Sequence, residues 1–130
     1  HCLALPREAL IDRLGMVASY YAVQAGPGWR LIVADTNDLS LVHWPEGSAK
    51  RREAEAYVDA FDGELLPWNG GVGAEQLAWI KEQLDDARRA SDLVIFASHH
   101  PLDERAAVPG LLAWNAAEVS RGQGPSYFSE

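Results

Sequence analysis

The sequence predicts an α/β fold, with helices flanking a mixed sheet, and two neighbouring segments lead to this prediction. Residues 74–90 place Leu77, Ile80 and Leu84 on one face of a helix, and the opposite face is charged. The stretch DLVIFAS, residues 92–98, follows at once as an apolar strand. A helix that leads into an apolar strand is typical of a β-α-β crossover, which joins parallel strands with a right-handed connection.

The other elements follow from local patterns. Residues 6–14 predict a short helix that ends at a glycine. Two β-rich runs, SYYAVQA over 19–25 and WRLIVADT over 29–36, are separated by the turn residues GPG, which predicts an antiparallel hairpin. The second run is apolar enough to be a central strand. Apolar residues at helical spacing predict a further helix over 48–61.

Composition limits the classes of protein that the chain can represent. Its 130 residues, of which 48% are hydrophobic, suit one domain with a core. The longest apolar runs are strand-sized, so we expect no membrane span. A single cysteine, Cys2, excludes an intrachain disulfide and is compatible with a reducing compartment, so we expect a cytoplasmic location.

The charge balance argues against two classes of partner. A net charge of −8 disfavours nucleic acid and anionic membranes, because both bind basic surfaces. An acidic protein that acts on phosphate esters recruits cations to its site, so this net charge favours a metal ion there. The sequence leaves the oligomeric state open.

Two histidines, His99 and His100, follow the apolar strand directly, in SHHP. Ligands of open α/β sheets bind beyond the carboxyl ends of the strands, so this position favours a functional residue. Neighbours on a strand point to opposite faces, and we therefore expect only one of the two to act on a ligand. The alternative is that one histidine bonds backbone and the other is solvated. Ser98 lacks a nucleophile elbow, and the glycines of NGGVGAEQ lack the Lys-Ser/Thr of a P-loop.

Four segments together resemble a known family. They are YYAVQAGPGWRLIVADTND (20–38), WNGGVGAEQLAWIKEQL (68–84), VIFASHHP (94–101) and LLAWN (111–115). In this order and spacing they resemble the calcineurin-like metallophosphoesterases, and among these the manganese-dependent ADP-ribose/CDP-alcohol diphosphatases. The combination is much more specific than any one segment.

The resemblance covers residues 1 to about 119 and implies a single partial domain over 1–130, with a divergent tail at 120–130. It implies part of an α/β/β/α sandwich and a centre of two divalent metal ions, which are manganese or, in its place, iron or zinc. Two metals clamp a phosphate, lower the pKa of a bridging water and stabilise the oxygens of an in-line displacement. The implied substrate is a small nucleotide diphosphate.

The resemblance also implies roles for individual residues. HCLALPRE is similar to the segment after the asparagine of the family's G-N-H motif, so His1 matches the catalytic histidine that protonates the leaving group or stabilises the charge of the transition state, and that does not bind metal. His99 matches the strand-end metal ligand. Four further residues match segments that border the active-site cleft and are the candidate substrate contacts: Asn69, Gly70, Trp114 and Asn115. For the tryptophan the alternative is core packing, and for Asn115 it is a helix cap.

Several motifs of the family are absent from these 130 residues. The sequence contains no D-x-H, no G-D, no asparagine before His1 and no G-H-x-H after LLAWN. We therefore expect the lineage's diphosphatase activity in a complete domain and an inactive isolated fragment. The alternative functions are a non-catalytic remnant or partner-binding module, and a copper site formed by the amine and imidazole of an amino-terminal His1.

Overall fold

A computed structural model describes residues 6–61, 65–102, 113–117 and 119 of the chain. Within these residues, helices and strands alternate along the sequence. In chain order they are α1 (Arg7–Arg13), β1 (Tyr21–Gly26), β2 (Trp29–Ala34), β3 (Leu39–Ser40), α2 (Ala49–Ala60), β4 (Gly70–Gly71), α3 (Ala74–Ala90) and β5 (Leu93–Ser98).

The main sheet has the strand order β1-β2-β5, with β2 in the centre. Strands β1 and β2 form an antiparallel hairpin, and the turn between them contains Gly28 at φ 72°, a conformation that favours glycine. Strands β2 and β5 are parallel, and their register pairs Ala34 with Ser98 at the carboxyl ends. The two strands therefore end side by side, at one edge of the sheet.

Helix α3 covers one face of this sheet. It begins after Gly73 and ends at Ser91, whose left-handed conformation (φ 57°) closes the helix with bonds to the carbonyls of Ala87 and Arg88. The main core consists of apolar residues from α3, the central strand and the segments that follow β4 and β5. Its buried members are Ile32, Ala34, Val72, Ile80, Leu84, Leu102, Ala113, Ala116 and Val119.

The opposite face of the sheet carries apolar side chains that remain exposed among the described residues. Trp29 of β2 lies beside Leu93 of β5, and Val23 and Ile95 belong to the same face by strand alternation. Parallel strands are normally covered on both faces. Helix α3 covers one face of this sheet, and among the described residues the other face is apolar and exposed.

A second, two-stranded sheet pairs β3 with β4. Gly70 of β4 lies so close to the preceding loop that a Cβ atom there would contact the backbone oxygens of Thr36 and Leu39, the latter at 2.8 Å. Helix α2, capped by the Ser48 hydroxyl, packs against β3 through buried Ala54. The small sheet therefore joins α2 to the edge where β2 ends.

The predicted α/β class and the mixed sheet with flanking helices are confirmed. The hairpin, the central position of β2 and helix α3 over Ala74–Ala90 lie where the sequence patterns placed them. The sequence did not predict β3 and β4, because strands of two residues have no measurable periodicity. None of the helices in the described part of the chain is long and apolar enough to cross a membrane.

Candidate active site at the carboxyl edge of the sheet

The candidate site lies where the parallel strands β2 and β5 end. Asp35 and Thr36 follow β2, and His99 and His100 follow β5. The register between the strands brings these two pairs of residues together. This edge is the usual ligand-binding position in an open α/β sheet.

The two histidines have different environments. His100 is buried, with 7% of its surface exposed, and the Thr36 hydroxyl lies 2.9 Å from its backbone nitrogen and 3.0 Å from its Nδ1. His99 is exposed, and its ring meets that of His100 edge to face at 4.9 Å between centroids. Burial and then the charge of His99 lower the pKa of His100, which keeps it neutral at neutral pH. His100 thus ties β5 to the segment after β2, and His99 remains available to a ligand.

Asp35 organises the backbone and fixes one cation. Its carboxylate pairs with the Arg7 guanidinium and accepts a hydrogen bond from the backbone of Asn37 at 3.0 Å. The buried Gln76 side chain of α3 bonds both the N–H and the C=O of Asp35, at 2.8 and 3.0 Å. The guanidinium also lies 5.1 Å from the centre of the Trp44 ring. Arg7 is therefore held at the site by a carboxylate and an aromatic face.

Both carboxylate oxygens of Asp38 bond to structural partners. One carboxylate oxygen lies 2.7 Å from Lys50 Nζ, and the other accepts a hydrogen bond of 3.0 Å from the Gly73 N–H at the start of α3. Burial alone would lower the pKa of Lys50, but its hydrogen bond with Asp38 and that residue's charge outweigh burial and raise it. Both oxygens of Asp38 thus have cationic or helix N-terminal partners, as expected for a residue in a turn beside a helix start.

His43 is a site residue that the sequence analysis missed. The Ser40 hydroxyl accepts hydrogen bonds from the backbone N–H groups of Val42 and His43, each at 3.2 Å. Because these bonds occupy its two lone pairs, we assign its own proton to the bond with Nδ1 of His43, 3.0 Å away. Nδ1 is then the acceptor, and the exposed imidazole carries its proton on Nε2.

His43 precedes Trp44, whose ring lies against the Arg7 guanidinium, so His43 belongs to the same edge. Burial, then the positive charge of Arg7 and then His99 lower its pKa, which favours the neutral ring. The Ser-x-x-His spacing of residues 40 and 43 is the one sequence signal for this arrangement. This spacing predicts a Ser40–His43 hydrogen bond only when the conformation of the turn after β3 is known.

The predicted substrate contacts Asn69 and Gly70 lie beside the edge but below its surface. Asn69 is buried, and its backbone N–H donates to the carbonyl of Leu66 at 3.0 Å. Gly70 is buried in β4, where its close approach to Thr36 requires a residue without a side chain. Trp68, in contrast, has 60% of its surface exposed. Contact between these residues and a substrate remains a prediction.

Trp114 and Asn115 are built into the packing. Trp114 is buried, its Nε1 donates to the Leu66 carbonyl at 2.9 Å, and its ring stacks on Tyr57 with 6.3 Å between centroids. The Asn115 amide bonds both backbone groups of Val72, accepting from its N–H at 2.9 Å and donating to its C=O at 2.6 Å. Each side chain thus has a structural role, and for Asn115 this role is a bridge to the backbone of Val72.

The metal-ion prediction was tested against the donor atoms of the described residues. No group of three or more His, Cys, Asp or Glu side chains within them could hold a metal ion. Asp35 and Asp38 already bond cations, and His100 Nδ1 contacts Thr36. His99 alone does not fit a two-metal centre, which needs several ligands for each ion. The predicted catalytic residue His1 lies outside the described residues, as does the 120–130 tail.

The chain is similar to known proteins in sequence and in fold. No family model matches the chain. It is 33% identical over 139 residues to a manganese-dependent ADP-ribose/CDP-alcohol diphosphatase of Oryza sativa, and 30% identical to the protein of the same name from Arabidopsis thaliana. Each alignment covers 92% of this chain. A crystal structure of a dimetal phosphatase from Danio rerio superimposes with a TM-score of 0.77 at 23% identity, over 91% of the chain. The chain is metallophosphoesterase-like.

The metallophosphoesterase-like chain spans less than half of the proteins that it matches. It covers 43% of the rice relative, 45% of the Arabidopsis relative and 46% of the Danio rerio structure. The relatives are named as manganese-dependent ADP-ribose/CDP-alcohol diphosphatases, and the structural neighbour is a dimetal phosphatase. The resemblance inferred from the four sequence segments is therefore confirmed.

Proposed function

We propose that this chain forms part of a metal-dependent diphosphatase that cleaves the pyrophosphate bond of ADP-ribose or a CDP-alcohol. The observation that supports this most strongly is the exposed His99 at the carboxyl edge of a parallel strand pair, in a fold similar to a dimetal phosphatase. Relatives with that activity match the chain over 92% of its length.

In this proposal His99 is a metal ligand and His1 is the acid that protonates the leaving group. The metals are two divalent ions, manganese or, in its place, iron or zinc. The remaining ligands lie outside the described residues, because the carboxylates at this edge bond Arg7 and Lys50. The substrate is a small nucleotide diphosphate, bound along the edge beside the exposed Trp68.

The isolated 130 residues are proposed to be inactive, since the described residues do not assemble a set of metal ligands. A folded but non-catalytic chain is the second candidate function, and the same observation favours it. The two candidates differ in whether adding the segments of a longer relative produces turnover.

A chimera distinguishes these candidates. The matching part of the rice diphosphatase is replaced by this chain, and release of AMP from ADP-ribose is measured with Mn²⁺ and with EDTA. We expect turnover by the chimera with Mn²⁺, none with EDTA, and none by the isolated chain. A chimera that unfolds cooperatively on heating yet hydrolyses neither ADP-ribose nor CDP-glycerol would refute the proposal.

A further inference from the structure

His43 presents a hydrogen-bond donor of fixed identity at the edge of the sheet. Because Ser40 donates to Nδ1, the proton of the neutral ring lies on Nε2, and the side chain as a whole is exposed. A neutral imidazole with a set tautomer can donate to an anion without first taking up a proton. Burial and the charge of Arg7 keep the ring in this form by lowering its pKa.

Arg7 supplies a positive charge beside this donor. Its guanidinium is held between the Asp35 carboxylate and the ring of Trp44, the residue that follows His43 in the chain. A guanidinium has five N–H donors, and one carboxylate does not use all of them. The side chain keeps 23% of its surface exposed, so some donors can reach a ligand.

Two carboxylates at this edge, those of Asp35 and Asp38, already have cationic or N–H partners, so the Arg7–Asp35 pair carries no net charge and still offers the guanidinium donors that Asp35 leaves unused. Asp35 pairs with Arg7, and Asp38 pairs with Lys50 and the N–H of Gly73. Ala34 pairs with Ser98 at the ends of β2 and β5, and Asp35 and His99 are the residues that follow this pair. In a chain with a net charge of −8, this edge therefore concentrates hydrogen-bond donors.

We infer that His43 and Arg7 form a binding point for a phosphate group of a diphosphate ligand, beside His99. Nε2 of His43 donates one hydrogen bond to a phosphate oxygen, and the guanidinium supplies charge-assisted bonds. The choice of a diphosphate rests on the proposed function. The binding point itself needs neither metal ion nor turnover, because its donors belong to the described residues.

The test measures binding of inorganic pyrophosphate to the 130-residue chain in EDTA, by calorimetric titration at low salt. His43→Ala removes the donor, and His43→Gln replaces it with an amide N–H at a similar distance from the backbone. Arg7→Lys keeps the charge and removes the fork of donors. Arg89→Ala is the control, because Arg89 also pairs with a carboxylate, that of Asp86, but lies in the last turn of α3.

We expect saturable binding of one pyrophosphate, weakened about tenfold or more by His43→Ala, as for the loss of a hydrogen bond to a charged group. His43→Gln is expected to recover most of the affinity, Arg7→Lys to weaken binding, and Arg89→Ala to change nothing. His43 is exposed, so its replacement leaves the core intact. Absence of pyrophosphate binding, equal affinity of His43→Ala and the unmodified chain, or equal weakening by Arg89→Ala would overturn the inference. A failed hydrolysis assay of the chimera would leave it standing.

Discussion

Replacing Asn115 by alanine tests whether this residue is structural. Asn115 has 3% of its surface exposed, and its amide makes both hydrogen bonds of the Val72 backbone, at 2.9 and 2.6 Å. Alanine removes both partners and leaves a buried N–H and C=O without them. Val72 is itself 1% exposed, so water cannot replace the amide without entering the core.

The size of the effect follows from these contacts. Two intramolecular hydrogen bonds contribute about 0.5–1.5 kcal/mol each, and each buried polar group left unsatisfied adds a desolvation penalty of about 1–3 kcal/mol. Because the site can relax partly, we expect Asn115→Ala to lower the free energy of unfolding by about 3 kcal/mol. For a domain of this size that corresponds to a fall in melting temperature on the order of 10 °C.

Urea unfolding followed by tryptophan fluorescence measures this loss. The matched control is Gln24→Ala, which removes an exposed amide whose bonds to Gly26 and Asp92 lie at the surface, and which should cost less than about 0.5 kcal/mol. If Asn115→Ala unfolds at the same urea concentration as the unmodified chain, the structural role assigned to Asn115 is wrong. Substrate contact would then be the better explanation for this residue.

Three further predictions concern the 130-residue chain. Gly70→Ala should lower the free energy of unfolding by about 2 kcal/mol or more, because the added Cβ would overlap the Thr36 carbonyl. The control Gly26→Ala adds a Cβ that meets no atom within 4 Å and should cost far less. Equal urea midpoints for the two variants would contradict this reasoning. Ser91→Gly should stabilise the chain by about 1 kcal/mol, since Ser91 closes α3 at φ 57°, and an unchanged or lower melting temperature would argue against that reasoning. Titration of the isolated chain with Mn²⁺ should show no binding of two ions, and an assay with ADP-ribose should show no hydrolysis. Stoichiometric binding of two ions, with turnover that His99→Ala abolishes, would instead show that the chain holds a complete metal centre.

Periodicity was sufficient to predict the elements that bury one whole face. Helix α3 and strands β2 and β5 are long enough to show their apolar pattern, and the parallel pairing followed from their order. The β3-β4 pairing could not be predicted in this way, since it depends on the close approach of Gly70 to a loop more than thirty residues earlier.

The site was predictable only in part, and for a physical reason. The position of His99 after an apolar strand was enough to place it at the edge of the sheet. The bonds between Asn115 and Val72 span 43 residues, so no local pattern distinguishes a structural amide from one that contacts a ligand. The proton position on His43 depends on three bonds to one hydroxyl, Ser40, which exist only in the folded turn.

The measurement that tests the account most directly compares two neighbouring histidines in the rice chimera. Mn²⁺-dependent hydrolysis of ADP-ribose is measured for His99→Ala and for His100→Ala, at a temperature well below the melting point of each variant. The exposed His99 is the proposed metal ligand, whereas buried His100 bonds Thr36. We therefore expect His99→Ala to remove most of the activity and His100→Ala to spare it, with a lower melting temperature. Equal losses of activity, or a loss confined to His100→Ala, would contradict the assignment of His99.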